Sequence, residues 1–229
     1  MIITKYAQST ALVKEGKTSL LIDPGKYNFD EGRVNRDFFK DIDVLFITHK
    51  HADHYDLEAV KSICGDSKPK IYTVREISEF LRSEGIESSV FNVGSKVQEG
   101  PFSIESIVTE HVVKGEKIDC FGVLITSNDG SFYHTSDTLY MTEKPRDCTV
   151  LMVPINNRGV CMSIDDAVKF TSDIRPRIVI PVHYDSPKDA HINPEEFLNK
   201  IKSEGVDSKI MAFGDSLDVS KYNTSKTAK

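Results

Sequence analysis

The sequence predicts an α/β domain with two sheets or one large mixed sheet, and three observations point to it. The first residues read as closely spaced strands, the middle returns to strands divided by glycines, and the last third alternates strand with helix. At 229 residues the chain suits one domain with a proper core. Its 39% apolar and 28% charged residues are those of an ordinary soluble globular protein. We expect one domain over residues 1–220 and a polar, frayed tail over 221–229.

Taken in order, MIITKYA, STALVKE and TSLLIDP are strand-like runs spaced tightly enough to pair antiparallel. After Asp23-Pro24-Gly25, the polar stretch 26–43 reads as a loop with one helical turn, and VLFIT follows as a buried strand. DLEAVKSIC and VREISEFLRSEG have helical spacing, with Gly85 as a stop, and they flank the strand KIYTV. Between residues 88 and 134 the strands are SSVFNV, KVQEG, FSIESIVTE, CFGVLIT and SFYHT. The final alternation is TVLMVPI, helix SIDDAVKFTSDI, RIVIPV, helix NPEEFLNKIKSEG and KIMAF.

Several classes are set aside by composition. The start has no basic head before an apolar run, so no signal peptide is expected and the location is read as cytoplasmic. The apolar runs are far too short to span a bilayer, so no membrane association is expected. A net charge of −6 argues against a general nucleic-acid binder. Cys64, Cys120, Cys148 and Cys161 form no C-x-x-C pair; they read as reduced, mostly buried thiols and not as zinc ligands.

The chemistry lies in THKHADHYD, residues 48–56. His49 and His51 are two apart in an extended segment, so their side chains share a direction and can grip one cation. Asp53 and His54 follow at a turn that re-aims them at a neighbouring point. A solvated histidine-rich loop is the plain alternative, but other strand exits repeat the pattern. His111 lies just past FSIESIVTE, Asp137 follows SFYHTS, and His183 follows RIVIPV. In open α/β sheets, ligands gather outside the carboxyl ends of strands.

H-x-H-x-D-H, a lone His, an Asp in an S-D-T setting and a His in PVHYD together resemble the metallo-β-lactamase superfamily. The likeness runs from LLIDPG to FGDSLDV, and VPINNRGVCMSIDDAV with RPRIVIPVHY is most similar to small stand-alone hydrolases near the ascorbate-6-phosphate lactonase type. The resemblance implies a four-layer αββα sandwich of two mixed sheets. It implies one metal held by His49, His51 and His111, a second held by Asp53, His54 and His183, and Asp137 bridging both. Two divalent ions are expected, zinc first, with manganese or iron also suited to such ligands. A metal-bridging hydroxide would attack the substrate, oriented by Asp53 as the catalytic carboxylate. Where the family often has glycine before the bridging aspartate, this chain has Ser136, which changes the local backbone or adds a supporting hydroxyl.

Around that core, Asp23 reads as a support for a ligand imidazole. Asn157 and Arg158, at another strand exit, are expected to face the pocket, with Arg158 on an anionic part of the substrate; a surface arginine before a helix is the plain alternative. Arg33 and Arg36 are weaker versions of the same idea. Tyr184 is read as a substrate contact or as packing. His134 is read as a strand residue with an ordinary partner, and His191 as an exposed loop residue. The expected activity is hydrolysis of an ester, lactone or related bond in a small molecule. The rivals are a phosphodiesterase or nuclease on the same core and a non-enzymatic metal-dependent binding module. Homo-oligomerisation is left open.

Overall fold

A computed structural model of the chain describes residues 1–30, 32–145, 147–186 and 192–223. The chain begins with β1 (Ile2–Lys5), β2 (Ala11–Glu15) and β3 (Thr18–Ile22), an antiparallel meander. A long connection carrying a 3₁₀ turn at Lys26–Asn28 leads to β4 (Val44–Ile47), α1 (Leu57–Ser67), β5 (Lys70–Thr73), α2 (Arg75–Ser83) and β6 (Ser89–Val90), whose strands run parallel. The second half repeats the plan. β7 (Lys96–Glu99), β8 (Phe102–Val108), the small ribbon β9 (Val112–Val113) with β10 (Glu116–Lys117), β11 (Phe121–Ser127) and β12 (Gly130–His134) come first. Then follow β13 (Val150–Pro154), α3 (Ile164–Ile174), β14 (Ile178–Val182), α4 (Pro194–Ser203), β15 (Asp207–Ser208) and β16 (Ser216–Asp218).

The strands form one sheet in the order β16-β1-β2-β3-β4-β5-β6 and another in the order β15-β14-β13-β12-β11-β8-β7. Period-two alternation sorts their side chains between layers. Val150 and Met152 of β13 join the core between the sheets, whereas Leu151 and Val153 join a second cluster with Phe170 of α3 and Phe197 of α4. Ala59, Val60 and Ile63 of α1 and Ile77 and Leu81 of α2 pack on the first sheet. Two mixed sheets with helices outside them make the αββα sandwich that the resemblance implies.

The helices start where local chemistry dictates. Asp56 accepts the Ala59 N–H at 2.9 Å to cap α1, Ser163 caps α3 through Asp166 N, and Asn193 caps α4 ahead of Pro194. Gly85 ends the α2 segment at φ +76, a conformation glycine adopts without strain. Among the described residues no helix is long and apolar enough to cross a membrane.

Two expectations need correction. KIMAF is not a strand: β15 pairs with β14 only through Asp207 and Ser208, just before it. Lys209 N still reaches Val179 O, but then the chain leaves the second sheet, turns at 212–215 and pairs with β1 as β16. Its apolar residues serve that crossing, with Met211 buried. The tail read from residue 221 gives Lys221 and Tyr222 to a 3₁₀ turn at Val219–Tyr222, and Tyr222 packs on the core. Residues 224–229 lie outside the described residues.

One glycine sets the distance between the DPG turn and the histidine loop. A Cβ on Gly25 would fall 1.7 Å from Asp53 O and 2.6 Å from His54 N, both backbone atoms. The close approach is used, since Lys26 N donates to Ala52 O at 2.8 Å. Gly25→Ala should therefore lower stability by about 3 kcal/mol, the scale of severe overpacking. Urea unfolding measures it, and an unchanged midpoint would show that the loop yields freely.

Candidate metal centre

The carboxyl ends of strands from both sheets meet at one edge of the sandwich. β4 ends at Ile47 and delivers Thr48, His49 and His51; β12 ends at His134 and delivers Asp137; β14 ends at Val182 and delivers His183. His111 arrives from the turn between β8 and β9. Seven side chains converge as two groups, His49, His51, His111 and Asp137, and Asp53, His54, Asp137 and His183. Within each group the facing ligand atoms lie within 4.8 Å of one another, and Asp137 belongs to both.

Inside the cluster, imidazole nitrogens face one another and face carboxylates at short range. His51 Nδ1 lies 3.1 Å from His49 Nε2 and 3.1 Å from His111 Nε2. His183 Nε2 stands 3.2 Å from Asp53 Oδ2 and 3.3 Å from Asp137 Oδ2, and His54 Nε2 stands 3.2 Å from Asp137 Oδ1. Yet His54 Nε2, Asp137 Oδ1 and both nitrogens of His183 are buried with no hydrogen-bond partner among the described residues. Buried polar atoms are normally satisfied. Unsatisfied atoms aimed at common points, all nitrogen or carboxylate oxygen, fit divalent cations such as zinc.

The supports around the cluster are largely hydrogen bonds from the strand exits. Asp23, fully buried after β3, accepts Thr48 N–H at 2.8 Å, the Thr48 hydroxyl at 2.7 Å and the His54 Nδ1–H at 2.7 Å. The His54 proton is thereby fixed on Nδ1, turning Nε2 to the cluster. His111 does the same by donating Nδ1–H to Val160 O at 3.0 Å. Ser136 has φ +57, the left-handed conformation that suits glycine, and its hydroxyl pairs with Thr48 Oγ1 at 2.6 Å. Serine there keeps the left-handed backbone that glycine would favour and adds a hydroxyl. His134 donates Nε2–H to Ser9 O at 2.6 Å and accepts Ser136 N–H at 3.2 Å.

Electrostatics split the imidazoles into two kinds. Burial lowers the pKa of His49, His51 and His111 and keeps them neutral, the form that offers a lone pair. Burial also opposes charge on His54, but Asp137 and Asp23 outweigh it and raise its pKa to about 10. His183 is likewise raised, with Asp137 overcoming burial. Burial would raise Asp53 and Asp137; the nearby His183 and His54 rings outweigh it, with His183 foremost at each, and both carboxyls lie well below their ordinary range.

Other expected residues fall in varied places. A cleft of about 290 Å³ opens onto the cluster, and Arg158 lines it with Gln8, Tyr27, Val113, Val160 and Ser186. Asn157 is exposed and does not line it; the bend after β13 instead buries Asn156, whose Oδ1 accepts the Arg158 N–H at 2.8 Å. Tyr184 also misses the cleft, because the chain leaving β14 turns its ring onto the helix-side core. Arg36 is spent on a two-bond pair with Asp56 at 2.9 Å, and Arg33 lies over Phe213; neither lines the cleft. Cys120 and Cys161 flank the cluster, with Cys120 Sγ 3.4 Å from Ser136 Oγ and Cys161 against His183 and Asp137. Neither joins a potential ion-binding group, and burial pushes the Cys161 thiol up to about 12. His191 lies outside the described residues. Gln8 and Tyr27 escaped the sequence reading: Gln8 sits in a turn at φ +54 that no local motif announces.

Comparison with known proteins agrees with this architecture. Residues 2–183 match a family described as beta-lactamase superfamily domain. A UPF0173 metal-dependent hydrolase of Nanoarchaeum equitans is 27% identical over 94% of this chain and 99% of its own length. A UPF0173 protein of Pyrococcus abyssi is 31% identical over 80% of this chain and 83% of its own. The solved structure of Igni18, a metallo hydrolase from Ignicoccus hospitalis, superposes with a TM-score of 0.76 at 23% identity, covering 94% of this chain and 97% of that one.

Two outcomes follow from the hydrogen bonds and charges. Asp23→Asn must turn an amide N–H against the N–H of either Thr48 or His54 and should weaken zinc binding at the second group about 10- to 100-fold, read by competition with a chromophoric chelator. Undiminished affinity would remove Asp23 from its supporting role. His54 and His183 hold protons at neutral pH that a cation must displace, so affinity should climb as pH rises toward 10. The slope is about tenfold per pH unit per proton released; calorimetry in buffers of different ionisation enthalpy counts those protons, and a count of zero would contradict the assignment.

Proposed function

We propose, from the premise that this chain belongs to the β-lactamase superfamily, that it is a metal-dependent hydrolase working with two ions on a small molecule. The observation that carries the reading is the pair of side-chain groups sharing Asp137, with unsatisfied buried atoms aimed into them. Its relatives named as metal-dependent hydrolases support the same class. His49, His51 and His111 would hold one ion, Asp53, His54 and His183 the other, and Asp137 both. Zinc suits these donors first, manganese or iron next. When bound, such ions supply Lewis acidity, lowering the pKa of a water and polarising the bond under attack.

The chain's own residues do the rest. Asp53 is 22% exposed, against 3% for Asp137, and lines the cleft. From there it orients the attacking water with its carboxylate. Charge-assisted binding by Arg158 holds an anionic part of the substrate. A cleft near 290 Å³ lies at the small end of ligand sites. We therefore favour a small ester or lactone, the ascorbate-6-phosphate lactonase type being one instance. The free cysteines favour a reducing, cytoplasmic setting.

Metal analysis of protein purified without chelator, together with a hydrolase substrate panel, tests the proposal. Two ions per chain and ester or lactone turnover that chelator abolishes and zinc restores are expected. Faster cleavage of bis(p-nitrophenyl) phosphate would favour a phosphodiesterase, and a metal-replete but inert protein a binding module. Arg158→Ala should raise KM about 10-fold or more, the scale of one charged hydrogen bond, with metal content unchanged. An unchanged KM on the true substrate would remove Arg158 from recognition.

A further inference from the structure

Lys5 closes β1 with an exposure of 1%, a rare position for an ammonium. Its Nζ donates to Asp185 Oδ2 at 2.5 Å and to the Tyr6 carbonyl at 2.9 Å, and lies 5.7 Å from the centre of the Tyr184 ring. The other carboxylate oxygen of Asp185 accepts the Gln8 N–H at 2.8 Å. A single side chain of the first sheet thus grips both residues that follow His183, across a separation of 180 residues to Asp185.

Apart from Cys161 beside it, His183 has no support on its Nδ1 side. Among the facing imidazoles, His54 and His111 are turned by hydrogen bonds from Nδ1 to Asp23 and to the Val160 carbonyl. His183 Nδ1 has no hydrogen-bond partner among the described residues, and its backbone is left-handed at φ +65. Its Nε2 must nevertheless be kept near Asp53 and Asp137, at 3.2 and 3.3 Å. Taking an ammonium out of water is costly, and an apolar side chain would fill the same space without that penalty. The charge has a use if the pair fixes a position.

We propose that Lys5 is a positioning residue for the second ion: through Asp185 it holds His183 in its left-handed turn, and through the same carboxylate it holds Gln8 at the cleft wall. This rests on the two-ion reading given above.

The test titrates the ion-free full chain with zinc against a chromophoric chelator and records melting temperature in parallel. The variants are Lys5→Met, which keeps bulk and removes charge, and the double variant Lys5→Met/Asp185→Asn, which leaves no carboxylate stranded. In both, one ion should bind as in the wild type and the other about 10- to 100-fold more weakly, the range for lost ligand support. The double variant should recover melting temperature but not the second affinity. Recovery of that affinity in the double variant would trace the loss to a stranded charge and overturn the proposal. Unchanged affinity in both variants would overturn it too. A wild type that binds fewer than two ions would instead sink the two-ion reading, and the proposal with it.

Discussion

The carboxylate of Asp23 is the interaction on which the arrangement of the site depends. It can only accept, and three donors converge on it in a place closed to water: the amide and hydroxyl of Thr48 and the ring N–H of His54. All three donors belong to the segment that leaves β4, and Asp23 itself stands at the exit of β3. Thr48 sets how the chain leaves β4 and so where His49 and His51 point. Its hydroxyl also meets Ser136, which directs the chain leaving β12 toward Asp137. One buried charge therefore couples three strand ends that the sheets alone would leave merely adjacent. Hydrogen bonds to charged groups are the stronger kind, and losing one in a buried network strands its partners.

The residues around the cluster also share an unusual backbone. Gln8, Asp23, Ser136 and His183 all have positive φ without being glycine. Such residues cost about 1–3 kcal/mol each and persist only where surroundings over-determine them. Elsewhere, Lys68 and Arg175 adopt the same conformation as ordinary helix ends. Around the cluster no helix end requires it. Instead Asp23 is held by Thr48 and His54, Ser136 by His134 and Thr48, and Gln8 by Asp185. Strain concentrated there is the mark of groups arranged before any ligand arrives.

Much of this was legible in the sequence because its signals were local or regular. The four clustered residues from His49 to His54 are close in the chain, and His183 and Asp137 stand at strand exits that apolar runs announce. The strands and helices followed from period-two and helical spacing backed by caps at Asp56, Ser163 and Asn193. What escaped depends on tertiary placement. The Lys5–Asp185 pair joins residues at opposite ends of the chain, and Gln8 and Tyr27 enter the cleft through turns with no motif. Asn157 was misplaced by one position, because a strand fixes alternation only until it ends, and the bend after β13 turns Asn156 inward instead. KIMAF misled for a related reason: an apolar run says that a segment is buried, not that it pairs.

The two potential ion sites draw on both sheets. His49 and His51 come from the first and His111 from the second; His54 comes from the first and His183 from the second. An ion bound in either place would act as a staple across the seam between the halves, with Asp137 as the shared pin. Neither half owns a complete socket, so neither group can form until the two sheets have docked. Each loaded ion would also resist their parting, so one set of atoms would serve as both catalyst and mortar.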